Sequence, residues 1–355
     1  METILLTTKN INVTGASIPC NILRTYIKDD EIHLLSYRDS KTRHFLLDNI
    51  LNKGSFNAIY TFKHGKTVKK GLILRISNSS NKNNIDMELN GIKIQYILSS
   101  KSRFIATIID YGRIVSKNNM DRREYSIIEK YGVSLKDILT FSKLTYNNLM
   151  CPLIFMRDLL KGIYAIHKLG YAHLDLKPSN ILIKDIYKIQ KKLVKRINFA
   201  IIDFGAVLKC GNIPKHLTKQ MASVGFSPPE LSDRLFGQKN DIWAYGIICF
   251  LVIQNRFYFK AKANKIFIHS NKKNITCNVS NAINNIITII RPRHLHEPAE
   301  INNYMYPFNT KENIELLQDF FIKILDVRYR KRPQSKNLLK HPLFTLISGN
   351  KKTGN

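Results

Sequence analysis

Cysteine is scarce in this chain and wrongly spaced for either a disulfide framework or a metal centre. Cys20, Cys151, Cys210, Cys249 and Cys277 are odd in number and far apart, with no Cys-x-x-Cys pair and no Cys/His ligand spacing. Reduced thiols in an intracellular protein are expected. Long apolar runs are lacking too. The longest, IWAYGIICFLVI at 242–253, is too short to cross a bilayer and suits a buried core helix. Met1 leads through a short apolar pair into polar TTKNIN, without the apolar stretch and small-residue cleavage site of a secretory signal. The expectation is a cytoplasmic or nuclear protein with no membrane partner.

Acidic residues are the other shortage. Lys and Arg number 56 against 26 Asp and Glu, a formal net charge of +30. Such a field attracts polyanions, so acidic protein segments or nucleic acid are candidate partners. An A/T-rich coding sequence, which favours Lys, Asn and Ile, accounts for the same figure equally well. No internal repeat is visible, and low complexity is confined to Asn/Lys/Ser-rich stretches near 77–84 and 271–281. With 44% apolar and 23% charged residues over 355 positions, the chain is globular and long enough for two lobes with cores of their own.

Residues 1–44 carry short alternating patches such as EIHLLSY, read as two extra strands in an N-terminal extension. From Phe45 the pattern becomes an antiparallel meander, FLLDNILNKGSFNAIYTFKHGKTVKKGLILRIS, with Gly54 in the first turn and His64–Gly65 in the second. Ile85, Leu89, Ile92 and Tyr96 then recur at the spacing of one helix face. After the strand-like FIATIIDYG and YSIIEKYG, helical patterns dominate, among them PLIFMRDLLKGIYAIHKLG, closed by Gly170 as a cap. The boundaries expected are an extension over 1–44, a strand-rich lobe over 45–130, a helical lobe over 131–345 and a polar tail over 346–355.

Chemistry concentrates just past the junction of the lobes. YAHLDLKPSNILI, 171–183, sets Asp175, Lys177 and Asn180 within six residues in a polar break between apolar runs. AIIDFGAV, 200–207, is an apolar strand that ends in Asp203-Phe204-Gly205. ASVGFSPPE at 222–230, DIWAYG at 241–246 and RKRPQSKNLLKHPLF near the end follow in order.

These motifs resemble those of the eukaryotic-type Ser/Thr protein kinase superfamily over residues 45–345. The resemblance implies an α+β, two-lobed protein kinase fold, with an antiparallel sheet and one helix in the first lobe and a mainly helical second lobe. It also implies ATP and magnesium as cofactors, and proteins with Ser/Thr acceptors as substrates. In its terms Asp175 orients or accepts the proton of the substrate hydroxyl, and Lys177 neutralises charge on the phosphoryl group in flight. Asn180 and Asp203 hold magnesium. His173 and Phe204 pack in the core. Glu230 pairs with Arg332, Asp241 holds the catalytic loop from beneath, and Ser223 bonds the acid and lysine.

Several positions depart from the family pattern. The phosphate-covering loop reads NKGSFN, with Asn52, Gly54 and Asn57 in place of three glycines. Asn tolerates positive φ best among non-glycine residues, so this loop is expected to keep its shape. LILRIS, 72–77, puts Arg75 where the resemblance expects lysine, with Glu88 as its ion-pair partner on the following helix. Arginine keeps the charge but offers a planar fork. Lys53, Lys69 and Lys70 are alternative reaches toward phosphate. Leu174 replaces the arginine that, in many kinases, pairs with a phosphorylated loop, so activity independent of loop phosphorylation is expected. In the hinge, Ile128 takes the gatekeeper position and Glu129, Lys130 and Tyr131 meet adenine through their backbone. Gly132 and Ser134–Leu135 are similar to the casein-kinase-one and vaccinia-related branch. DIYKIQKKLVKR, 185–196, reads as a basic insertion, either a solvated loop or a nuclear-import or polyanion contact. A pseudokinase scaffold, arising from Arg75 and the two asparagines, is the competing reading.

Overall fold

The computed structural model describes residues 31–53, 57–65, 67–77, 82–115, 123–141, 150–184, 197–211, 225–230, 235–254 and 307–347. Gly54, Ser223 and the 185–196 insertion lie outside these residues.

The first lobe is built on strands β1 (Glu31–Ser36), β2 (Thr42–Lys53), β3 (Asn57–His64), β4 (Thr67–Val68), β5 (Leu72–Ser77), β6 (Ile108–Ile114) and β7 (Glu124–Glu129), with helix α1 (Lys82–Ser99) against them. The sheet runs β2-β1-β6-β7-β5-β3-β4, and β2 pairs with β3 as well. That second pairing closes six antiparallel strands into a barrel. Alternation along each strand sends Ile32, Leu34, Phe45, Tyr60, Phe62, Leu74, Ile76, Tyr125 and Ile127 inward as one core. Ile73, Ile108 and Ile128 point outward, against Ile92 of α1.

β1 belongs to this barrel rather than to a separate extension. It pairs antiparallel with β2 through Glu31↔Leu46 to Leu35↔Thr42, and with β6 through Leu34↔Ile114 to Ser36↔Gly112. The sheet is therefore one body across position 45, and the single strand β1, with the first residues of β2, accounts for the described part of the expected extension.

The second lobe comprises α2 (Leu135–Phe141), α3 (Met150–Lys168), α4 (Gln238–Gln254), α5 (Lys311–Ile324) and α6 (Ser335–Leu338), with the short strands β8 (Tyr171–Ala172), β9 (Ile181–Ile183), β10 (Phe199–Ile201) and β11 (Leu208–Lys209). Leu153, Met156, Leu160, Ile163 and Ile166 place one apolar stripe of α3 in the core. The helix ends at Gly170, whose φ of 81° suits a residue without Cβ, with its N–H donated to the His167 carbonyl. α4 is buried on every face from Ile242 to Phe250, which is why its sequence reads as a continuous apolar run. No helix among the described residues is long and apolar enough to cross a membrane. The fold is α+β with two lobes.

Candidate active site

Three connections bring the chemistry-bearing residues together. The strands β9 and β10 form a hairpin, Ile181↔Ile201 to Ile183↔Phe199, so Asn180 and Asp203 flank its open end. Ile202 donates its N–H to the Asn180 carbonyl at 3.0 Å and accepts from His173 Nε2 at 3.1 Å, tying the strand end to the polar loop. The first lobe is fastened to the same hairpin, as Ile201 N–H reaches the Phe104 carbonyl at 2.8 Å and Ala106 N–H the Ile201 carbonyl at 3.0 Å.

Within the loop, Asp175 is held on one oxygen by two donors. Lys177 Nζ lies 2.7 Å from Asp175 Oδ2, and Asn180 Nδ2 donates to the same oxygen at 3.1 Å and to the Asp175 carbonyl at 2.8 Å. A lysine beside the carboxylate keeps an acceptor and a compact cation in fixed register. With its amide nitrogen so engaged, Asn180 keeps its side-chain oxygen for another contact.

Beneath the loop, Asp241 of α4 accepts the backbone N–H groups of His173 and Leu174, each at 2.8 Å. Asp241 is itself fixed by His167 at 2.9 Å, whose other ring nitrogen meets Ser335 Oγ at 2.9 Å. Leu174 sits at a φ of 64°, a left-handed conformation that costs a leucine about 1–2 kcal/mol. The Asp241 anchor and Leu174's own burial hold it there. His173 is fully buried, with its ring 4.8 Å from that of Phe204, which is buried as expected.

Arg75 does pair with Glu88, Nη2 to Oε1 at 3.1 Å, and the same nitrogen lies 3.8 Å from Asp203 Oδ1. The guanidinium thus bridges the helix and the strand-end acid. Burial pushes the Glu88 carboxyl above its ordinary range, an effect opposed by Arg75 and by the Ser77 hydroxyl, which donates to its other oxygen. Asp203 also has a left-handed backbone, φ 66°, and its side chain is 41% exposed, turned toward solvent where a cation could reach it.

Gly91 explains how α1 comes so near. A Cβ there would lie 2.3 Å from the Phe204 carbonyl oxygen, so only glycine admits this approach.

Other expected residues fall differently. Asn52 and Asn57 do not take positive φ: Asn52 pairs with Ile59 and Asn57 with Ser77 in the ladder, which holds both extended. The Asn57 side-chain oxygen is buried with no hydrogen-bond partner among the described residues. Lys69 and Lys70 are no substitutes for the strand cation, because the antiparallel β3 and β5 put their connection at the end of the barrel away from Asn57. Lys53 is exposed. In the hinge the Glu129 N–H is taken by Thr107 and the Lys130 N–H by Gly71, while the Tyr131 N–H has no acceptor among the described residues. The Tyr131 side chain is buried, its hydroxyl bonded to Glu129 Oε2 at 2.9 Å and to the Thr107 N–H at 3.1 Å.

Sequence reading missed Ser77, His167, Asn240 and Gly91. Asn240 Nδ2 bonds Glu230 at 2.8 Å. His167 and Ser335 are 168 positions apart, so no local spacing reveals them. For Gly91 the available signal was a glycine inside a helical pattern, a residue that usually marks close packing.

A loop acid clamped by lysine and asparagine, a strand-end aspartate and a cation–glutamate pair reaching over it from a strand-rich lobe define a two-lobed phosphotransferase type of site. The chain belongs to the protein kinase family: the model for the protein kinase domain matches residues 45–344. It is similar to Serine/threonine-protein kinase 4 homolog A of Dictyostelium discoideum, 24% identical over 316 residues, covering 87% of this chain and 57% of the relative. It is similar as well to a probable cyclin-dependent serine/threonine-protein kinase of the same organism, 27% over 223 residues, covering 62% of this chain and 14% of the relative. Maternal embryonic leucine zipper kinase of Xenopus laevis is 32% identical over 103 residues, 28% of this chain and 14% of its own. The chain thus spans between 14% and 57% of the length of these relatives.

Proposed function

We propose that this chain catalyses transfer of the γ-phosphoryl group of ATP, with magnesium, to Ser or Thr hydroxyls of protein substrates. The observation that carries the reading is the joined set of Asp175, Lys177, Asn180 and Asp203, tied through Ile202 to one hairpin end. Asp203 and the Asn180 side-chain oxygen are hard oxygen donors, the kind magnesium takes. Held by Asp203 and the Asn180 side-chain oxygen, magnesium would supply positive charge against the negative charge that builds on the phosphoryl group during transfer.

The chain's own groups supply the rest. Asp175, with one oxygen fixed by Lys177 and Asn180, orients the acceptor hydroxyl and receives its proton. Lys177 lies beside that point and stabilises negative charge on the moving group. Arg75 meets phosphate from above, with Glu88 keeping it in place. The unengaged Tyr131 N–H and the Glu129 carbonyl meet adenine. Asn52, Gly54 and Asn57 are the residues of the phosphate-covering loop. The lysine at position 177 and Ser223 favour hydroxyls of Ser and Thr over Tyr.

A second reading, a scaffold with weak or no catalysis, draws on Arg75, whose guanidinium lies 3.8 Å from Asp203 and competes with metal for that carboxylate. Magnesium-dependent transfer from labelled ATP to a mixture of casein and basic protein separates the two. Transfer lost in Asp203→Ala establishes the enzyme, and a gain in Arg75→Lys marks arginine as the poorer clamp. Absence of transfer in both wild type and Arg75→Lys moves the reading to the scaffold.

The net charge of +30 favours acidic acceptor sites or polyanionic partners in the cytoplasm or nucleus. A peptide array preferring basic residues around the acceptor refutes the first. Nucleic-acid binding absent at moderate salt removes the second.

A further inference from the structure

The closed barrel has a mouth that the site above does not use. At the end formed by the β1–β2 turn, the approach to β5 and the start of β6, a cavity of about 700 Å³ opens above the buried Phe45, Phe62 and Ile127, lined toward solvent by Tyr37, Leu72, Tyr96, Ile109 and Tyr111. Its size lies within the range of small-ligand sites, and barrel mouths are a recurrent place for them.

The polar groups on the rim are unequally engaged. Arg43 is paired with both acids present, Asp39 and Asp110. Asp110 is buried and saturated further by the Ser36 hydroxyl at 2.6 Å and the Tyr125 hydroxyl at 3.0 Å. Arg38 donates to the Ile109 carbonyl and lies 5.6 Å above the Tyr96 ring, and neither it nor Lys69 has a carboxylate partner among the described residues. Three cations against two acids leave the rim a single net positive charge over an aromatic and aliphatic floor.

We propose that this mouth binds a small monoanion with an apolar body, a medium-chain or aromatic monocarboxylate, whose carboxylate pairs with Arg38 and Lys69 and whose body lies against Tyr37, Leu72, Tyr96, Ile109 and Tyr111. The site is distinct from the phosphotransfer cleft, since none of Arg75, Glu88, Asp175, Lys177, Asn180 and Asp203 is among its lining residues. It therefore stands or falls independently of the catalytic reading. β1 contributes no residue to the catalytic cluster, yet it closes the barrel and leads directly into the rim residues Tyr37, Arg38 and Asp39.

The test is displacement of anilinonaphthalenesulfonate fluorescence from the full chain by decanoate. One saturable site is expected, cleared by decanoate but not by equal concentrations of decanol, and unaffected by saturating ATP with magnesium. Reversing both cations, the exposed Arg38→Glu with the half-buried Lys69→Glu, should weaken decanoate at least about tenfold while leaving the thermal unfolding midpoint near that of wild type. Equal competition by decanol, displacement by ATP, unchanged affinity in the double variant, or no saturable binding would each overturn the assignment.

Discussion

Replacing Arg332 by alanine should unfold the second lobe far more readily than its distance from the catalytic loop implies. The guanidinium is fully buried and grips Glu230 with both terminal nitrogens, Nη1 to Oε1 at 2.6 Å and Nη2 to Oε2 at 2.5 Å. It also donates to the Asp326 carbonyl at 2.7 Å and the Lys239 carbonyl at 2.9 Å, and it lies 4.9 Å from the Trp243 ring. Alanine leaves Glu230, itself 3% exposed, with Asn240 Nδ2 as its remaining side-chain donor among the described residues. Breaking a buried pair from one side costs about 3–5 kcal/mol, because the surviving charge stays in low dielectric. With an m-value of about 2–3 kcal/mol/M, that is a fall of about 1.5 M in the urea midpoint. Arg332→Lys keeps the charge without the fork and should fall between, at about 2 kcal/mol. Replacing both partners by methionine should cost less than either single truncation, since no unpaired charge remains. Trp243 is the only tryptophan in the chain and sits against the pair, so its fluorescence reads unfolding at the site itself. A loss below about 1 kcal/mol in Arg332→Ala, or a double variant worse than both singles, would refute the reasoning.

Glu124 offers a pH test. Burial raises its carboxyl from 4.5 to about 7, against a hydroxyl bond from Tyr37 and the nearby Arg113 and Lys93. The folded form holds its proton more tightly than the unfolded form, so its contribution is unfavourable and grows as pH rises from 4.5 to about 7. Glu124→Gln should match wild type near pH 4 and exceed it by about 1–3 kcal/mol at pH 8; equal thermal midpoints at both pH values would contradict this. Gly91→Ala improves helix propensity by about 1 kcal/mol but drives a methyl into the Phe204 carbonyl, so net destabilisation of about 1–3 kcal/mol is expected. A raised melting temperature would show that α1 can move off the Asp203 turn without loss. Leucine at 174 cannot bind phosphate, so phosphatase treatment of the chain should leave its turnover unchanged. Turnover abolished by phosphatase would show that another group reads a phosphorylated loop.

The local chemistry was legible because it is contiguous. Asp175, Lys177 and Asn180 lie on one turn of chain, and the hydrogen bonds among them span at most five positions. Asp203 was recognisable at the end of an apolar strand, and Gly170 at the end of a periodic helix. The pairing of Arg75 with Glu88 followed from a strand followed by a helix with one acid on the facing side. Reading failed where a residue's conformation is set by its neighbours across a sheet. Asn52 and Asn57 have the intrinsic tolerance for positive φ, but ladder partners on β3 and β5 outweigh a preference of this kind. Lys69 and Lys70 looked near enough in sequence to serve phosphate, and the antiparallel turn carried them to the opposite end.

What the sequence determined by itself was the α+β order of elements, the apolar faces and the family motifs, because these depend on periodicity and short-range contact. What only the tertiary structure decided was closure of the barrel by β1, the bracket from His167 through Asp241 to the catalytic loop, and the sharing of Arg75 between Glu88 and Asp203. Each of these depends on packing between segments distant along the chain. A residue's neighbours there are chosen by the burial of whole faces, which no local pattern of side chains encodes.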